Sequence, residues 1–65
     1  MWLFIDNNRE YCSNVKPEWN ELDRYWMCLE ELDDEEYYDV SISMPKGSIK
    51  KLTGLDTIVE PIEYI

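Results

Sequence analysis

Trp2-Leu3-Phe4-Ile5 is an unbroken run of β-favouring side chains that ends at Asp6-Asn7-Asn8, the pattern of a short buried strand. Arg9 to Lys16 shows no period and reads as a loop. From Pro17 the spacing changes. Trp19, Leu22, Trp26 and Leu29 recur at steps of three, four and three, and Tyr25 and Leu32 widen the stripe. At about 100° per residue these six side chains fall within an arc of about 140°, which predicts an amphipathic helix over residues 17–32 with its apolar face on the core. Pro17 suits a first helical turn, and Glu18 and Glu21 suit the positive end of the helix dipole. Asp23, Glu30 and Glu31 take the opposite side, but so do Met27 and Cys28, which a simple helix does not explain. The rival is a strand over 25–32 joined through Asp33-Asp34 to the next strand as a hairpin. Its alternation is poor, because Glu30 and Glu31 would occupy both faces, so the helix is the expectation.

Tyr38, Val40, Ile42 and Met44 alternate with Tyr37, Asp39, Ser41 and Ser43, the cleanest strand pattern in the chain, with one wet face. Pro45-Lys46-Gly47 ends it. Ser48 is a good N-cap, Ile49 and Leu52 share a helical face, and Gly54 suits a helix C-terminus, which predicts one or two helical turns. Ile58, Val59, Ile62, Tyr64 and Ile65 make a last strand, confined to an edge or a bulge by Pro61. The predicted order is β-α-β-α-β. That is a single α+β domain spanning residues 1–65, with one sheet of about three strands, one longer amphipathic helix and one short helix.

The chain has 65 residues, so a single marginal core is expected. A flat surface site suits it better than a closed pocket. No apolar run approaches the roughly 20 residues that span a bilayer. The opening residues lack the basic segment and the apolar length of a signal peptide. Cys12 and Cys28 are the only cysteines and form no C-x-x-C, so free thiols in a reducing cytoplasm are expected. His is absent, which removes the commonest general base and leaves neither cysteine an activating partner. No phosphate-binding glycine motif occurs. Carboxylate pairs mean little in a chain with fifteen acids, so no enzyme, cofactor or metal is expected. Lys46, Lys50 and Lys51 read as a solvated helix end.

The charge is where the sequence becomes specific. Six Lys and Arg against fifteen Asp and Glu give a net charge of −9. Residues 18–39 hold ten of those acids with Arg24 as their only cation, so this third of the chain carries the whole excess. A protein so charged is drawn to positive surfaces and repelled by nucleic acid and anionic membrane. The run Glu30-Glu31-Leu32-Asp33-Asp34-Glu35-Glu36 is denser than solubility requires, and like charges so close cost stability. It lacks the D-x-D-x-D-G pattern of a calcium loop. A helix over 17–32 would be about 24 Å long. The same length of duplex DNA presents about 14 charges, against ten carboxylates here. A basic nucleic-acid site would therefore find partners on this segment. Among the nearby aromatic and sulfur side chains, Trp26 and Tyr38 fall on the predicted buried face. Met27 and Tyr37 fall on the wet face and are the better contact residues.

By size, charge and the acidic run over 30–36, the chain resembles the small acidic proteins that bacteriophages make to block host enzymes or defence systems, some as nucleic-acid mimics. That resemblance implies a cytoplasmic inhibitor occupying the basic site of a nuclease, polymerase or defence effector. Glu30, Glu31, Asp33, Asp34, Glu35, Glu36 and Asp39 would pair with Lys and Arg, and Met27 and Tyr37 would anchor the contact. The alternative is an adaptor or antitoxin-like module whose edge strand over 58–65 adds to a partner's sheet.

Overall fold

In a computed structural model the chain is described over residues 1–33 and 36–65. The opening strand forms as the sequence predicts, as β1 (Trp2–Asp6). Asn7 and Asn8 follow with φ of 51° and 63°. A two-residue hairpin turn of the primed type needs this pair of left-handed residues, and Asn tolerates the conformation. The chain therefore returns at once as β2 (Arg9–Ser13), in register Asp6 with Arg9 through Trp2 with Ser13. The expected loop over 9–16 is corrected over this stretch. β2 shows no alternation because it is an inner strand, flanked by β1 and by β7 (Ile42–Met44). Phe4 stacks on Tyr11 across the hairpin at 5.3 Å. Leu3 and Phe4 are neighbours, so they point to opposite faces, and both are buried. The centre of β1 is thus covered on both sides.

The helix expected over 17–32 does not form. Its place is taken by β3 (Glu18–Asn20), β4 (Tyr25–Met27) and β5 (Leu29–Asp33). Asn20 decides the first turn. Its side-chain oxygen accepts from the N–H groups of Leu22 and Asp23, both at 3.0 Å. Arg24 then closes the turn with φ 57° and donates its N–H to Asn20 O at 2.7 Å. This local competition with helical bonding is what Asn is good at. Trp19 and Trp26, seven apart, become a cross-strand pair with rings 5.1 Å apart and edge to face. A separation of seven suits two turns of helix and also two strands across a short loop, so the helical stripe was an ambiguous signal. Leu22, assigned to its core face, is 89% exposed at the turn.

β5 pairs with β6 (Glu36–Asp39), the hairpin that the rival reading described. The strand expected from Tyr37 to Met44 is therefore split. Asp39 Oδ1 accepts from Ser41 N and Ser41 Oγ, both at 2.6 Å, which bends the chain from β6 into β7. Tyr38, expected in the core, is exposed. The short helix stands as predicted, as α1 (Ser48–Thr53), with Gly54 at φ 81° as its C-cap. Gly47, and not Ser48, holds the N-cap. The cap bonds come from Glu10 on β2, whose carboxylate accepts from Gly47 N at 2.5 Å and Ile49 N at 2.7 Å. Of the predicted apolar face Ile49 is buried and Leu52 is exposed. The last strand shrinks to β8 (Ile62–Glu63), which pairs with β1.

Among the described residues the fold is thus nearly all β. An antiparallel sheet runs β7-β2-β1-β8, beside the two-stranded sheets β3-β4 and β5-β6. The α+β expectation of one sheet and a long helix is overturned. None of the helices among the described residues is long and apolar enough to cross a membrane.

Candidate interaction surface

The acidic run lies on the β5–β6 hairpin. Glu30, Glu31 and Asp33 stand on β5, and Glu36, Tyr37 and Asp39 stand on β6. Asp34 and Glu35 lie outside the described residues. Every described side chain of these two strands is exposed. The ladder continues downward, because Val40 N–H donates to Cys28 O at 2.9 Å and Cys28 is buried. The hairpin is thus an exposed projection rooted in the body by one buried rung.

Pairing sorts the side chains by parity. The pairs Leu29 with Asp39 and Glu31 with Tyr37 share one face, and Glu30 with Tyr38 takes the other. A bulge between Glu31 and Asp33 shifts the register, and Asp33 then faces Glu36. Like charges directly opposite are destabilising. The Glu30 face turns toward the main sheet, where a cleft of about 220 Å³ is lined by Cys12, Ser13, Glu30, Val40 and Ile42 among others. On that face Tyr38 Oη donates to Glu30 Oε2 at 3.3 Å. The Glu30 charge, followed by loss of hydration and this bond, raises the Tyr38 phenol above its ordinary value.

The other face carries Leu29, Glu31, Tyr37 and Asp39 and continues into a groove of about 330 Å³. Val15, Lys16, Glu18, Met27, Leu29 and Tyr37 line it. Met27 and Tyr37, the two contact residues the sequence singled out, are brought together here. Trp26, expected in the core, is half-buried. Val15, Glu18 and Leu29 were missed. Glu18 sits opposite Met27 in the β3–β4 pair, a relation readable only after the hairpin register is known. Lys16 directs its Nζ to the Trp2 ring, 5.5 Å from the centroid. Among the described residues the one ion pair joins Lys50 to Asp56 at 2.8 Å, so none of the hairpin carboxylates described is neutralised by a cation of the chain.

Cys12 and Cys28 are both free thiols. Burial raises the Cys28 thiol above its ordinary range, partly offset by a bond with the Ser13 side chain. Glu10 is held below the usual carboxylate range, first by its bond from Ile49 N–H and then by that from Gly47. No protein-family model, curated protein or solved structure matches the chain.

Proposed function

We propose that the chain is a non-enzymatic binding protein that docks on the basic surface of another protein and inhibits it. Its acidic β5–β6 hairpin is the contact element, and the cytoplasm (a host's, if the chain is viral) is its compartment. One observation carries this reading: the hairpin projects into solvent with every described side chain exposed, and its carboxylates are interspersed with Leu29, Leu32, Tyr37 and Tyr38. A lone two-stranded hairpin is marginal in water. Repulsion between Asp33 and Glu36 weakens it further, so its sequence favours a partner over its own stability. A surface rich in Lys and Arg, such as the nucleic-acid site of a nuclease, polymerase or defence effector, supplies the complementary charge.

The nucleic-acid-mimic form of the idea loses its helical arithmetic, since the carboxylates sit on strands. Charge complementarity to a basic protein does not depend on that spacing. Addition of the segment over 58–65 to a partner's sheet has less to work with, because only Ile62 and Glu63 are in strand conformation there.

The test compares affinity capture by the native chain with capture by a variant carrying Lys at 33, 34, 35 and 36. The expected catch is a basic protein that elutes between about 0.1 and 0.5 M salt, as the screening length falls from about 10 Å to less than half of that, and that the variant does not retain. Retention of the same partner by the variant, or elution indifferent to salt, overturns the proposal.

A further inference from the structure

We propose that the groove at the foot of the β5–β6 hairpin is a receptor for an arginine side chain of a basic partner segment, Tyr37 stacking on the guanidinium and Glu31 and Glu18 gripping it. The inference rests on the reading above and specifies its chemistry. Three successive pairs carry it. Glu18 faces Met27, Asp39 faces Leu29, and Glu31 faces Tyr37. Each pair joins one carboxylate to one apolar or aromatic side chain, and Met27, Leu29 and Tyr37 line the same groove with Val15. Cross-strand neighbours stand about 4.5–5.5 Å apart. A side chain lying on any of these apolar groups therefore has a carboxylate within reach of its tip.

The occupant is defined by that combination. It needs an apolar stem to cover Val15, Met27 and Leu29, and a cationic head to meet the carboxylates. Long basic side chains have this form, burying their methylenes while the charge stays at the surface. Arg is favoured over Lys because its planar head stacks on an aromatic face and binds carboxylates in bidentate fashion. The groove, at about 330 Å³, is at the low end of the roughly 300–1,000 Å³ of small-molecule sites, which suits one long side chain better than a folded element. The chain's own nearest cation does not fill it, since Lys16 leans on Trp2.

The test uses the whole chain with two probes of equal nominal charge, N-acetylated deca-arginine and deca-lysine. Binding is measured by fluorescence anisotropy at 0.15 M salt and by methyl NMR of methionine-labelled protein. Met27 reports the groove, while Met1 and Met44 lie outside it. The expected result is at least fivefold tighter binding of deca-arginine, with the Met27 methyl shifted and the other two unmoved. Tyr37→Ala abolishes the preference and Tyr37→Phe keeps it. Lys at both 33 and 36 weakens the two peptides alike. Equal affinity for the two peptides with an unmoved Met27 methyl overturns the groove and leaves the acidic surface standing. A preference that survives Tyr37→Ala also overturns the groove. Binding of neither peptide overturns the acidic surface itself.

Discussion

Asp33 faces Glu36 across the β5–β6 ladder, and replacing Asp33 by Lys turns that repulsion into attraction. A favourable cross-strand charge pair contributes about 0.2–1 kcal/mol, and a like-charge pair removes a similar amount. The swap should therefore stabilise the hairpin by about 1 kcal/mol. Because none of the described side chains of β5 and β6 is buried, the hairpin is expected to open locally, independently of the four-stranded sheet. The readout is native-state hydrogen exchange at the backbone amides of residues 30 and 38, the bonded pair two residues on from the Val40 N–H to Cys28 O bond, with the amides of β1 as internal reference. About 1 kcal/mol corresponds to roughly fivefold slower exchange. Salt adds a second arm: 0.5 M sodium chloride should slow these amides in the native chain, by screening the repulsion, and speed them in the variant, by screening the new attraction. The same variant should bind a basic partner more weakly, so stability and affinity move in opposite directions. If Asp33→Lys exchanges as fast as the native chain, and salt acts equally on both, the pairing and the charge argument built on it are wrong.

Three further outcomes follow from the rest of the structure. Glu10 is held below its ordinary value of 4.5 by the Ile49 and Gly47 N–H groups; its contribution is present above that value and lost as pH falls through the lower folded value. Acid unfolding of Glu10→Gln should accordingly show a shallower loss of stability below about pH 4.5 than the native chain. Leu3 is fully buried, so Leu3→Ala should cost about 2–5 kcal/mol in urea unfolding, enough to unfold much of a chain this small; a loss under about 1 kcal/mol would show that β1 is not the centre of the core. In an ultraviolet titration the Tyr38 phenol should ionise at lower pH in Glu30→Gln than in the native chain, because the Glu30 charge is the leading cause of its raised value.

What the sequence revealed depended on whether one segment's pattern had a single structural solution. Trp2–Ile5 and the short helix ending at Gly54 did, and both formed where predicted. The stretch from Pro17 to Leu32 did not. Its apolar spacing satisfied a helix, and the deciding group was a polar one, Asn20, whose side chain captures two backbone N–H groups and turns the chain. Asn7-Asn8 was the equivalent signal for β2, a two-residue turn between strands that went unread because Arg9–Ser13 lacks alternation. Tyr37 is exposed, as its wet-face placement predicted, whereas Met27 is half-buried like Trp26. The placement of Tyr38 did not hold, since its predicted burial assumed that one strand ran unbroken to Met44 and the Asp39–Ser41 bend prevents that.

The exchange of helix for hairpin also alters what the acidic run can do. A helix advances about 1.5 Å per residue and would spread Glu30, Glu31 and Asp33 around its circumference. A strand advances about 3.3 Å and assigns neighbours to opposite faces. Glu30 is thereby turned toward the main sheet, where it bonds Tyr38 and borders the cleft by Cys12. Glu31 and Asp39 are turned outward beside Tyr37 and Leu29. One uninterrupted acidic sequence thus yields two exposed faces, one bordering the cleft by Cys12 and one beside the groove lined by Met27 and Tyr37. Glu31→Gln should therefore weaken the binding of deca-arginine more than Glu30→Gln, although each removes one carboxylate.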